Sequence, residues 1–157
     1  MEFVINTESV DSPGAQSLIF AAQDELDRRY GPADTDLGEL HSHDLRPPRG
    51  VFIVARENGH LAGGVALRSV GEASLHLGEI KRLWVRPDLR GRGVAHLLMD
   101  RAQAEARELR MVQLLLETGE KQPEALSFYL KTGWSRIGNF PDGLWSYPQG
   151  LKFAKFL

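Results

Sequence analysis

Cysteine is absent from the 157-residue chain, which excludes disulfide scaffolds, thiolate metal sites and a cysteine nucleophile at once. Long apolar runs are missing too: none approaches the roughly 18 residues a membrane-spanning helix needs. The N-terminus carries Glu2 and no basic stretch followed by an apolar one, so it does not read as a secretory signal and a cytoplasmic location is expected. Charge of one sign is scarce. Lys and Arg number 19 against 21 Asp and Glu, a formal net charge of −2, so no overall field draws nucleic acid or an anionic membrane. Any anion site has to be built locally. What remains is ordinary for a globular domain, with 42% hydrophobic and 25% charged residues, and the length suits one core spanning residues 1–157.

The patterning suggests alternating elements. An opening strand is expected over Phe3–Thr7. Ser12-Pro13 then supplies an N-cap and a first-turn proline for a helix with Ala15, Leu18, Ile19, Ala22 and Leu26 on one face. Gly31-Pro32 stops it. Residues 33–49 are polar and punctuated, with a short helix expected around Leu37–His41. Val51–Ala55 is β-rich, Asn58-Gly59 suits a tight hairpin turn, and Leu61–Leu67 returns as its partner, weakened by Gly63 and Gly64. The next strand is expected over Glu79–Val85, ending before Pro87. Simple alternation there places Glu79, Lys81, Leu83 and Val85 on one face and Ile80, Arg82 and Trp84 on the other. A helix opening near Gly93 carries Val94, Leu97, Leu98, Ala102, Ala106 and Leu109. A buried strand Val112–Leu116, a helix from Pro123 to Gly133, and late strands at Ser135–Phe140 and Leu151–Leu157 complete the order. A β-rich centre followed by β-α-β-α-β implies a single α/β (α+β) domain.

The strongest local feature is Arg90-Gly91-Arg92-Gly93-Val94-Ala95, between a strand and a helix. Glycines at intervals allow positive φ, so successive N–H groups can converge on a phosphate at the helix's positive end. Arg90 and Arg92 add permanently charged, bidentate donors. A P-loop requires Gly-Lys-Ser/Thr, which is absent, and the dinucleotide fingerprint requires a different glycine spacing in an early βαβ unit. Taken alone, the loop is equally consistent with a solvated turn.

Its surroundings resemble the GNAT superfamily of acyl-CoA N-acyltransferases. The family signature is Arg or Gln, two residues, Gly, one residue, then Gly or Ala. It reads here from Arg90 to Ala95, preceded by Leu83-Trp84-Val85-Arg86-Pro87 and followed by Leu97-Leu98. A second block, Leu116-Glu117-Thr118 with Glu124–Tyr129 and Gly133-Trp134, also looks like the family. The resemblance covers residues 51–140. It departs at Ala95, where many members have Gly, and at Gln122, where many have Asn.

The resemblance implies a single GNAT-like domain with a mixed sheet of about six to seven strands and about four helices, its fourth and fifth strands splayed. It implies acetyl-CoA as the acyl donor and no metal. The pantetheine would lie against Leu83, Trp84 and Val85 like an added strand, with a backbone N–H polarising the thioester carbonyl. Arg90, Gly91, Arg92, Gly93, Val94, Ala95 and His96 would grip the pyrophosphate, with Gln122 as a further cofactor contact. Tyr129 matches the position of the acid that protonates the departing thiolate, where a residue type alone would suggest a core aromatic. Glu117 and Glu79 are candidate bases, or surface ion partners if read as isolated charges. Lys81 and Arg82 could contact the cofactor's ribose phosphate or lie exposed, and exposure is the expectation. His41 and His43 suit a solvated loop better than a metal, or the wall of an acceptor pocket. Trp145 and Tyr147 sit where a late loop shapes that pocket. The expected reaction is direct acetyl transfer from acetyl-CoA to a primary amine of a small molecule. The alternatives are a non-catalytic acyl-CoA-binding module and acetylation of peptide or protein N-termini. A homodimer through the late strands is a common outcome in such folds.

Overall fold

The computed structural model describes residues 2–31, 40–144 and 146–157. Its elements run β1 (Phe3–Glu8), α1 (Pro13–Tyr30), β2 (Gly50–Glu57), β3 (His60–Val70), β4 (Leu77–Val85), α2 (Val94–Glu108), β5 (Gln113–Thr118), α3 (Pro123–Lys131), β6 (Ser135–Ile137) and β7 (Leu151–Phe156). The strands form one seven-stranded sheet in the order β1-β2-β3-β4-β5-β7-β6. Only β4 and β5 pair in parallel; all other neighbours are antiparallel. Three α-helices lie among the described residues, one fewer than expected. Most of the helix expected around Leu37–His41 falls at positions outside them, and Ser42–Leu45 forms a single 3-10 turn.

Local chemistry explains the boundaries. Ser12 caps α1 by accepting the Ala15 N–H at 3.1 Å, with Pro13 in the first turn. Asn58 and Gly59 take φ of 50° and 80°, the left-handed pair a two-residue hairpin requires. The sheet separates two layers. Val94, Leu98, Ala102 and Ala106 of α2, joined by Met99, pack with Ile53, Val65, Leu67, Leu116 and Tyr129 on one side. Leu97, expected on that face, is 41% exposed; the four-residue row 94-98-102-106 meets the sheet, and Leu97 lies about 100° round the helix from Leu98. On the other side Ala15 and Leu18 of α1 pack on Phe52, Val54 and Ala66, and Leu77 and Leu115 pack with Phe140. Gly64 lets α1 approach: a β-carbon there would lie 2.9 Å from Leu18 Cδ1 and 3.0 Å from the Ile53 carbonyl. It is a packing requirement more than a weak point of the strand.

Candidate active site

The parallel ladder between β4 and β5 is short. It runs from Leu77↔Gln113 to Ile80↔Leu116 and ends there, although β4 continues to Val85 and β5 to Thr118. Beyond Ile80 the strands part. The cause lies in β4, where Ala66 pairs with Lys81 but Gly64 pairs with Trp84, so Arg82 and Leu83 together face Val65. This is a β-bulge, and Arg82 takes a left-handed φ of 57° within it. A bulge bends its strand and ends regular pairing.

The bulge also corrects the face assignment expected for β4. Leu83 and Val85 pack with Ile80 on the α2 side, while Trp84 packs on the α1 side. Glu79 and Lys81 point to that second side, since Lys81 is opposite Ala66. Simple alternation fails because one extra residue shifts the phase between Lys81 and Leu83.

A cleft of about 560 Å³ occupies the fork, floored by β4 and β5 and walled by α1, the Thr118–Gln122 connection and Tyr147–Gly150. Tyr129 reaches it from the α2 side of the sheet, where it belongs to the core with Trp134 and Phe153. Burial pushes its phenol pKa far above the ordinary 10.0, so it stays protonated at neutral pH. Glu79 and Glu117 reach the cleft from the opposite side. Glu79 Oε1 accepts from Arg68 Nε at 3.0 Å and pairs with Nη2 at 2.9 Å. Glu117 accepts the Tyr147 N–H at 3.2 and 3.1 Å through its two oxygens and lies 3.4 Å from Lys152 Nζ. The Lys152 ammonium is buried and also donates to the carbonyls of Tyr147 at 2.8 Å and Gly150 at 3.1 Å. The fork is therefore a passage through the sheet, with a phenol on one side and two carboxylates on the other.

The glycine loop lies at the α2 end of the same strand. Gly91 and Gly93 have φ of 81° and 87°, and a β-carbon on either would meet nothing within 4 Å, so conformation rather than crowding demands glycine there. Gly93 is the N-cap of α2 and has no side chain to satisfy the first-turn N–H groups. Those donors and the open space before them fit the diphosphate of a CoA thioester. Val94 is buried and Ala95 half-buried, so what either could offer an anion there is its main-chain N–H. His96 is exposed, its ring 4.9 Å from Phe128. Arg90 is tied into the frame, donating to the Val85 carbonyl at 2.8 Å and to Glu25 at 2.7 Å. Arg92 turns away to Glu57 at 2.9 Å, over the Phe3 ring. Gln122 is the N-cap of α3 and lines the cleft.

The cleft lining also includes residues that the sequence placed differently or left unmarked. Lys81 and Arg82, expected exposed, are half-buried and line the fork. Burial lowers the Lys81 pKa, with Glu79 opposing and Arg68 and Arg82 adding to the effect. Tyr30, the last residue of α1, accepts the Lys121 N–H at 2.9 Å. Arg29 bonds the Lys121 carbonyl at 3.1 Å and Glu124 at 2.5 Å, so the end of α1 clamps the connection between β5 and α3. Gly119 in that connection makes room for the clamp, because a β-carbon there would lie 1.8 Å from Tyr30 Oη. Tyr147 lines the cleft as expected, whereas Trp145 lies outside the described residues. His41 and His43 stack on one another at 5.5 Å, away from the cleft lining. Among the described residues no three His, Asp or Glu side chains could hold a metal ion, and no helix is long and apolar enough to cross a membrane.

Comparison with known proteins decides the family. The model of the acetyltransferase (GNAT) family matches residues 17–134. The chain belongs to the GNAT acetyltransferase family. It is 35% identical over 140 residues to an IAA acetyltransferase of Azospirillum brasilense, covering 82% of this chain and 87% of that one. Its fold is shared with a GNAT-family acetyltransferase of Staphylococcus aureus (TM-score 0.77, 15% identity, 99% of each chain). It is shared also with the PaiA N-acetyltransferase of Thermoplasma acidophilum in complex with coenzyme A (TM-score 0.71, 16% identity, 100% of each chain). This GNAT protein is thus an acetyl-CoA-dependent N-acetyltransferase.

Proposed function

We propose that this cytoplasmic GNAT enzyme transfers the acetyl group directly from acetyl-CoA to a primary amine on a small molecule, through the fork between β4 and β5. The observation that carries this reading is the opposition of Tyr129 to Glu79 and Glu117 across the sheet. Transfer needs an acid where the thiolate leaves and a base where the amine arrives, and these must approach the acyl carbon from opposite sides. Bound acetyl-CoA supplies the activated thioester. The α2 N-terminus and the Gly91–His96 loop hold its diphosphate, and the unpaired edge of β4 at Leu83 and Val85 orients the pantetheine arm. Tyr129, protonated well past neutrality, donates to the departing sulfur. Glu117, one residue past the last β4–β5 pair, and Glu79, one before it, take the amine proton directly or through water.

A cleft walled by α1 and the Tyr147–Gly150 segment favours a small acceptor over a polypeptide chain. The test is acetyl-CoA-dependent thiol release over amines, amino acids and short peptides. Turnover confined to small amines is expected. Turnover confined to peptides would replace the acceptor class, and binding of acetyl-CoA without release of CoA thiol in the presence of any acceptor would remove the acceptor reading.

A further inference from the structure

We infer that Lys152 is a positioning residue for the acetyl transfer, holding the Glu117 carboxylate and the Tyr147–Gly150 wall of the cleft as one unit. The inference deepens the reading above in which Glu117 takes the amine proton, and rests on it. Lys152 of β7 stands directly opposite Glu117 of β5 in their antiparallel ladder, so the two side chains leave the sheet on the same face. It is 4% exposed, and lysines are seldom buried this far unless their charge is met. The ammonium carries three hydrogens. It donates to the Tyr147 carbonyl at 2.8 Å and the Gly150 carbonyl at 3.1 Å, and lies 3.4 Å from Glu117 Oε2.

The wall it fastens is a single tight turn. Tyr147-Pro148-Gln149-Gly150 has proline second and glycine fourth, as β-turns favour, and the Gly150 N–H donates to the Tyr147 carbonyl at 3.1 Å. Tyr147, Gln149 and Gly150 line the cleft. Two charges grip this turn. Lys152 takes the carbonyls at its two ends, and Glu117 accepts the Tyr147 N–H through both oxygens. Because the two charges also meet each other, ammonium, turn and carboxylate form a closed ring of contacts. Stability alone does not call for a lysine there, since apolar residues of similar volume serve as well in place of a buried ion pair. Turnover does call for it. A base has to be aimed at the amine, and a displacement of about 1 Å costs rate steeply.

The experiment is a kinetic double-mutant cycle. Lys152→Met and Lys152→Gln are each made in the parent and in Glu117→Gln, with thermal melts beside steady-state kinetics on an amine that the parent acetylates. Lys152→Met is expected to lower kcat about tenfold and to raise the acceptor KM several-fold, with the acetyl-CoA KM within about twofold of the parent. Lys152→Gln keeps donors for the turn's carbonyls and discards the charge, so it should lose kcat with a smaller change in acceptor KM. In the Glu117→Gln background neither substitution should lower kcat further. Equal losses in both backgrounds would make Lys152 a purely structural residue and overturn the inference, as would parental kcat in Lys152→Met. Parental kcat in Glu117→Gln would overturn it too, while continued acetylation would leave the small-amine reading intact. If neither Lys152 variant folds, amide hydrogen exchange in Glu117→Gln decides: faster exchange at Tyr147 supports the unit, and an unchanged rate overturns it. If the parent acetylates no amine, the acceptor reading fails, and the same exchange measurement judges the unit by itself.

Discussion

Glu117 and Gly150 share one small volume: a β-carbon on Gly150 would lie 2.2 Å from Glu117 Oε2 and 2.4 Å from its Cδ. The carboxylate can move, but only by leaving the Tyr147 N–H that orients both its oxygens. Gly150→Ala is therefore expected to lower kcat by about tenfold while changing little in the core, because small misplacements of a reacting group cost rate steeply. Steady-state kinetics beside a thermal melt checks it. Unchanged kcat would show that the orientation of Glu117 does not limit the reaction, and Glu117→Gln and Glu79→Gln pH profiles would then decide between the two carboxylates.

Tyr129→Phe removes the proposed acid and keeps the aromatic packing with Phe153 and Trp134. The expected result is a fall in kcat of about a hundredfold, with a KM for acetyl-CoA within a few-fold of the parent. Because burial raises the phenol's pKa, the parent's alkaline limb should show no loss of activity at the ordinary tyrosine value. A limb at that value that vanishes in the Phe variant would contradict the burial argument.

Arg68 and Glu79 form a largely buried pair on neighbouring strands. Removing only the cation leaves a carboxylate that is 7% exposed without its matched charge, which costs about 3 kcal/mol in comparable buried pairs. Arg68→Met should destabilise by about that amount, and Arg68→Met with Glu79→Gln should recover much of the loss. Denaturant unfolding of the two single variants and the double gives the coupling energy directly; simple additivity would mean that the pair contributes nothing of its own.

Glu8 supplies a pH-dependent contribution far from the fork. Its carboxylate accepts from Arg56 Nη1 at 2.7 Å and from the Ser12 hydroxyl at 2.6 Å. The Arg56 hydrogen bond is the main reason its pKa lies below the usual 4.5. A lowered value in the fold means the contribution is present above the unfolded carboxylate's range and is lost as the pH falls through the lowered value. Glu8→Gln should cost about 1 kcal/mol at neutral pH, and the gap to the parent should close on acidification. A gap independent of pH would indicate shape rather than charge.

Much of this was legible in the sequence because local and global preferences agreed. Ser12-Pro13, Asn58-Gly59 and the two-glycine loop each announce a backbone geometry, and the two spaced family blocks place Tyr129 and Glu117. The face assignment on β4 was not legible. A bulge is set by how Gly64 and Ala66 of one strand meet Trp84 and Lys81 of another, and period-two reading of a single strand has no access to that. Lys81 and Arg82 looked like solvent-facing charges for the same reason. The Tyr30–Lys121 clamp joins residues 91 positions apart, beyond the reach of any local pattern.

The bulge at Arg82 has a consequence for redesign of this fold. Two residues of β4 face one of β3 there, so excising Arg82 would bring Leu83 opposite Val65 and keep Leu83, Trp84 and Val85 on the layers they now occupy. The packing would survive the deletion. What would vanish is the bend, and a straightened β4 would be free to zip against β5 past Ile80, giving a sound protein with its doorway sewn shut.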